Sequence, residues 1–170
     1  MLLDLTRYHQ GLNHFARVLQ PDAVGQDGEA YRILEPVQVD VQIHRDRERF
    51  RLVGTVRTRL ALSCGRCLEP FALPIDSELD LRYLPVESEG GAEDREVSDD
   101  DLDAGVYRDG QIDLNELLRG QFYLALPMKP LCREDCAGLC PLCGTNRNTE
   151  ACACAPQWED PRLAPLKGLT

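Results

Sequence analysis

The sequence predicts an α+β fold: a small antiparallel β-sheet, a helix packed on it, and a cysteine-rich C-terminal module. Three observations carry that expectation. Apolar and polar residues alternate through 37–63, the pattern of a half-buried sheet. A helical period follows Asp113. Of the eight cysteines, Cys132, Cys136, Cys140, Cys143, Cys152 and Cys154 crowd toward the C terminus.

The elements follow in chain order. Within residues 1–20, Leu12, Phe15, Val18 and Leu19 form a short stripe at helical spacing, and Pro21 would end that helix. Leu2, Leu3 and Leu5 fit a strand equally well. Residues 29–34 add a candidate strand. Val37, Val39, Val41 and Ile43 then alternate with Gln38, Asp40, Gln42 and His44. After the polar stretch HRDRER, Phe50, Leu52, Val56, Leu60 and Leu62 fall on even positions and Arg49, Arg51, Arg57 and Arg59 on odd ones. A hairpin with one buried and one wet face explains both runs. A third strand runs through ELDLRYL at 78–84.

Residues 87–105 carry nine acids and one base, with few apolar residues, and read as an acidic mobile loop. Asp109-Gly110 signals a tight turn. Asp113 caps a helix with Glu116 three residues on, as in a capping box. Leu114, Leu117, Leu118, Phe122 and Ala125 line its apolar face, and Pro127 ends it. The chain thus divides into an α+β body, 1–128, and a cysteine-rich tail, 129–170, docked on it.

With 170 residues and 43% hydrophobic content, the chain can bury one ordinary core. No apolar run reaches the length of a membrane span. The start, MLLDLTRYHQ, lacks the pattern of a secretory signal. Both point to the cytoplasm, where thiols stay reduced and clustered cysteines favour metal over disulfides. The net charge of −10 opposes nucleic acid at first sight. Its distribution weakens that objection. The 87–105 segment holds nine of the 29 acids and one of the 19 bases, which leaves 20 acids and 18 bases elsewhere.

The cysteines form two CxxC pairs, Cys64–Cys67 and Cys140–Cys143, a CxxxC pair, Cys132–Cys136, and a CxC pair, Cys152–Cys154. Short turns present two thiolates at a separation that suits one tetrahedral ion, so eight sulfurs divide into two structural zinc sites. Cys140, Cys143, Cys152 and Cys154 form a local set. Cys64, Cys67, Cys132 and Cys136 remain as a second set, which would tie the sheet to the segment after the helix. Other partitions, such as Cys132, Cys136, Cys140 and Cys143 together, stay open. A thioredoxin-type redox role for Cys64–Cys67 needs the first thiol at a helix N-terminus, and Pro70 opposes a helix there. A catalytic zinc keeps an open position and usually takes histidine or carboxylate, yet no histidine lies near a cysteine pair.

CGRCLEPF at 64–71, DLNELLRGQFYLALPMKPLCREDCAGLCPLCGTNRN at 113–148, then CAC and DPRLAPLKGL resemble the YceD family of large ribosomal RNA subunit accumulation proteins. The resemblance covers roughly the last two thirds of the chain. It implies a non-enzymatic role in the synthesis, processing or stability of large-subunit (23S) ribosomal RNA. The implied partner is that RNA or its precursor; the acidic 87–105 loop is either solvated linker or a surface for a basic ribosomal protein, and neither a membrane nor a small-molecule substrate is expected. For RNA contact, Arg49, Arg51, Arg57 and Arg59 on the wet face of the hairpin are the candidates, since guanidinium forks match phosphate geometry. The alternative is that these arginines solubilise the sheet and pair across it, for example with Asp40. Lys129, Arg133, Arg147, Arg162 and Lys167 surround the tail cysteines, and Trp158, Leu163 and Leu166 would pack the tail onto the body. No Ser-His-Asp order, phosphate-cradling loop or carboxylate pair stands out. Two rival functions remain: a thiol oxidoreductase or redox-regulated factor using Cys64–Cys67, and a zinc-held adaptor that touches only protein.

Overall fold

The computed structural model describes residues 1–25, 30–86 and 104–154. A six-stranded sheet dominates. Its strands are β2 (Gly11–Leu19), β3 (Arg32–Ile33), β4 (Val37–Asp46), β5 (Arg49–Ser63), β6 (Pro70–Pro85) and β7 (Ala104–Tyr107). The main path runs β2-β4-β5-β6-β7, and β3 pairs with the far end of β5. A separate ribbon joins β1 (Leu2–Asp4) to β8 (Gln111–Asp113). Among the described residues two α-helices complete the fold: one turn, α1 (Pro21–Val24), and the longer α2 (Leu114–Ala125).

The predicted hairpin is β4–β5, joined by a tight turn in which Arg47 takes a left-handed φ of 55°. Val37, Val39, Val41 and Ile43 are buried, as are Phe50, Leu52, Val56, Leu60 and Leu62. Gly54 sits where β5 meets β4 closely: a Cβ there would lie 2.6 Å from the Val41 Cα. Any side chain at Gly54 would therefore push the two strands apart. Strand β6 is antiparallel to β5 over 70–83, a pairing that starts well before the predicted 78–84.

Helix α2 crosses the inner face against β6, β1 and β8. The Asp113 carboxylate caps it by accepting the Asn115 N–H at 2.9 Å. Leu114, Leu117, Leu118 and Phe122 are buried, and Phe122 meets Tyr31 edge-on at 5.6 Å. Asp109-Gly110 makes the predicted turn, with φ of 51° and 68°, the pairing that a type I′ turn requires.

Three readings change. Residues 11–19 are a strand, not a helix, because β4 offers nine in-register partners and strand pairing outweighs a short apolar stripe. Leu12 and Val18 then face solvent, while Leu19 is buried. Pro21 opens α1 rather than closing a helix, because its fixed φ suits a first helical position. The sheet is not wholly antiparallel: β7 runs parallel to β6, so Ala104 and Gly105 belong to a strand rather than to the acidic loop. The rest of that loop, 87–103, lies outside the described residues, as do Trp158, Arg162, Leu163, Leu166 and Lys167.

Candidate metal centres

The four sulfurs of Cys64, Cys67, Cys132 and Cys136 lie within 4.8 Å of one another, and so do those of Cys140, Cys143, Cys152 and Cys154. These are the two sets that the spacing suggested. In the first tetrad, Cys64–Cys136 is 3.8 Å and Cys67–Cys132 is 3.7 Å. Disulfide sulfurs would sit about 2.05 Å apart. Four thiolates bound tetrahedrally at about 2.3 Å have edges of about 3.8 Å. The donor set and the spacing therefore fit a closed, four-coordinate metal ion.

Tetrad 1 is built at the junction of sheet and tail. The long hairpin β5–β6 ends in the Cys64–Cys67 turn, closed by Leu68 N–H to the Cys64 carbonyl and by Cys64 N–H to the Glu69 carbonyl, both 2.9 Å. Leu68 adopts a φ of 62° to complete it. The tail docks on this turn. Gly65 N–H donates to the Pro130 carbonyl at 2.7 Å, and Leu139 N–H to the Arg66 carbonyl at 3.0 Å. The Arg66 guanidinium donates to the Cys136 carbonyl at 2.9 Å. Gly138, with a φ of 71°, packs directly on Arg66. Cys64, Cys67 and Cys136 are buried, with Phe71 and Leu131 packed against them.

Asn148 is a supporting residue that cysteine spacing does not reveal. Its amide nitrogen donates to the Cys136 sulfur at 3.3 Å. Its oxygen accepts from Ala137 N–H at 2.8 Å and from the Arg133 guanidinium at 2.7 Å. One side chain thus orients a sulfur and fastens the loop that carries it. The only trace in sequence is the polar run Asn146-Arg147-Asn148, whose first asparagine also accepts from the Asn148 N–H.

Tetrad 2 is a knuckle with little around it among the described residues. Gly144 N–H donates to the Cys140 carbonyl at 2.9 Å and Cys140 N–H to the Thr145 carbonyl at 2.8 Å. Gly144 takes a φ of 76°, and the Thr145 hydroxyl lies 3.2 Å from the Cys143 sulfur. Cys152 and Cys154 reach it from irregular chain. Cys140 is buried, whereas Cys143 and Cys154 are exposed.

The electrostatics of both sets call for a cation. The backbone N–H groups of Cys67 and Cys132 aim at the Cys64 sulfur and pull its thiol down to about 6. Burial pushes Cys132 up to about 12, reinforced by hydrogen bonding to Cys136 and Cys64. In tetrad 2 the Thr145 hydroxyl and N–H pull Cys143 down to about 6, and the hydrogen bond to Cys143 leads in pushing Cys154 up to about 12. One thiolate raises its neighbours, so all four ionise together only when positive charge is shared among them.

The arginine row is differently engaged. Arg51 forks onto Asp80 through two hydrogen bonds, Arg57 bonds Asp76 at 3.0 Å, and Arg59 approaches Glu35 at 3.5 Å. Arg49 faces Asp46 across the hairpin register. Asp40, the carboxylate first suggested as a partner, instead bonds His14 at 2.7 Å. Three of the four arginines therefore spend their charge on carboxylates of the same face.

The family profile described as large ribosomal RNA subunit accumulation protein YceD matches residues 52–170, a span that contains both tetrads. The chain belongs to the YceD family. Relatives named large ribosomal RNA subunit accumulation protein YCED homolog 1, chloroplastic, are 35% identical in Zea mays and 30% in Arabidopsis thaliana. Those alignments take in 79% and 86% of this chain, against 53% and 52% of the plant proteins. An uncharacterised Mycobacterium tuberculosis protein is 32% identical over 64% of this chain and 50% of its own length. The chain thus spans about half the length of the curated relatives it matches. No solved structure matches it. Among the described residues no helix is long and apolar enough to cross a membrane.

Proposed function

We propose that this YceD-family chain is a non-enzymatic ribosome-biogenesis factor. It supports the synthesis, processing or stability of large-subunit (23S) ribosomal RNA in the bacterial cytoplasm. Each cysteine tetrad holds one structural zinc ion, by Cys64, Cys67, Cys132 and Cys136 and by Cys140, Cys143, Cys152 and Cys154. The observation that carries the reading is the family match across 52–170, the stretch in which both tetrads lie.

Zinc suits the sites because four thiolates complete its preferred shell and leave no open position for a substrate. Its chemistry here is cross-linking, not turnover. The residues do the positioning: Arg66 and Gly65 fix the tail against the hairpin turn, and Asn148 orients Cys136. The oxidoreductase reading is disfavoured because Cys64 and Cys67 each have a tail sulfur within 3.8 Å, a four-sulfur cage rather than an isolated dithiol. RNA contact through Arg51, Arg57 and Arg59 would have to displace the Asp80, Asp76 and Glu35 carboxylates, which leaves Arg49 as the remaining member of the row.

The experiment is depletion of the protein in its host, followed by quantification of 23S and precursor ribosomal RNA against 16S, with crosslinking of the tagged chain. A selective fall in 23S with crosslinked precursor RNA supports the reading. Unchanged 23S overturns it. A 23S defect with protein crosslinks alone makes the chain an adaptor. Elemental analysis of the purified protein should give two zinc ions per chain.

A further inference from the structure

We propose that the edge strand β2 is a homodimer interface, in which two copies pair β2 against β2 antiparallel about a twofold axis at Phe15. The inference goes beyond the ribosomal role and does not depend on it.

The sheet's open edges are not alike. Strand β6 pairs with β7 only over Arg82–Pro85, so much of its second edge is open among the described residues. That strand carries Pro70, Pro74, Asp76, Glu78 and Asp80, the residues that blunt an edge against further pairing. Strand β3 has only two residues. Strand β2 has nine, without proline or carboxylate, and β4 is its sole partner among the described residues. Long edges without such protection are templates for another strand.

The sequence of β2 matches its own reverse. Pairing about Phe15 places Gly11 opposite Leu19 of the second copy, so all nine residues find partners. Directly opposed residues point to the same face of a sheet. Leu12 then meets Val18 of the second copy, and the contact occurs twice. These two side chains are 61% and 63% exposed, and both lie on the outer face. Phe15, half-buried, meets Phe15 of the second copy on the inner face. Arg17 falls opposite Asn13 of the second copy, so no like charges oppose.

Charge singles out the same edge. The chain carries 29 acids and a net −10, and two such copies repel over most of their surfaces. Between Asp4 and Asp22 there is no carboxylate side chain, and Arg7 and Arg17 are present. Around β2 two copies can approach without acid facing acid. A twofold interface is self-complementary by definition, and this strand satisfies that condition.

Sedimentation analysis of the full-length zinc-loaded protein tests the proposal. The wild type should sediment as a dimer that dissociates on dilution. Leu12→Glu and Val18→Lys, both at exposed positions, should each weaken dimerisation at least tenfold while leaving the circular dichroism unchanged. An equimolar mixture of the two variants should recover dimer. In the mixed dimer the carboxylate introduced by Leu12→Glu in one copy faces the ammonium introduced by Val18→Lys in the other, and the second site keeps its Leu–Val contact. Hydrogen exchange of β2 amides in the wild type should quicken on dilution. A wild type that is monomeric throughout, single variants that stay dimeric, a mixture that stays monomeric, or β2 exchange indifferent to concentration would each overturn it.

Discussion

Tetrad 1 and tetrad 2 offer the same four sulfurs in opposite surroundings. The first draws two ligands from the tip of the longest hairpin and two from the tail, with Cys64 and Cys136 72 positions apart. It is walled by Phe71 and Leu131 and held by the hydrogen bonds of Gly65, Arg66, Leu139 and Asn148. The second draws all four from residues 140–154 and leaves Cys143 and Cys154 exposed, where the first leaves Cys132 exposed. A cross-link that closes a longer loop restrains the unfolded chain more, by about 0.6 kcal/mol for each doubling of length. Identical chemistry thus serves two ends: tetrad 1 joins parts of the fold, and tetrad 2 shapes a local knuckle.

The sharpest way to break that comparison is to remove one ligand from each. Cys64→Ser should lose one zinc and lower the apparent Tm by roughly 15 °C or more, since structural metal can rival a domain's whole stability. Cys154→Ser should also lose one zinc yet move the Tm by only about 5 °C or less. Paired elemental analysis and calorimetry check both, and equal Tm losses would erase the distinction.

Acid comes next. Metal and protons compete for the same sulfurs, so zinc should leave as pH falls. Cys64 and Cys143 have thiols lowered from 9.0 to about 6. A lowered folded value means that their contribution is complete above 9 and is lost as pH falls through about 6. Zinc release followed with a chromogenic chelator should therefore rise as the pH is lowered from mildly alkaline to acid, with the exposed tetrad ahead.

Asn148→Ala sharpens the contrast from the support side. Loss of a ligand-orienting hydrogen bond typically weakens metal binding about 10–100-fold. Competition titration should show that loss for one zinc per chain and no change for the other. The smallest effect is kinetic. A chelator in excess should strip the first zinc to leave about tenfold faster than the second, with far-UV circular dichroism preserved after the first phase.

Much of this design was legible in the sequence, for identifiable reasons. The β4–β5 hairpin announces itself because one face is buried and the other wet along its whole length. Asp113 and the Leu114, Leu117, Leu118 and Phe122 stripe announce α2 in the same way. Strand β2 did not, because an edge strand leaves Leu12 and Val18 exposed, and its apolar residues then mimic a helical stripe. Parallel pairing of β7 is invisible locally, since it depends on a partner 22 residues away, as in Arg82 with Ala104. The local tetrad follows from spacing. Tetrad 1 followed only by elimination, and Asn148 not at all, because its role comes from the folded loop. The arginine partners needed strand register, which sets Asp76 opposite Arg57.

The 65 residues that follow Cys67, up to and including Cys132, also set a timetable. A ribosome adding about 5–20 residues per second needs roughly 3–13 s to make them. During that interval the hairpin tip waits with two bare sulfurs. Translation that stalls before Cys132 leaves a nascent chain able to grip metal by only half a cage, and so open to capture by any other thiol nearby.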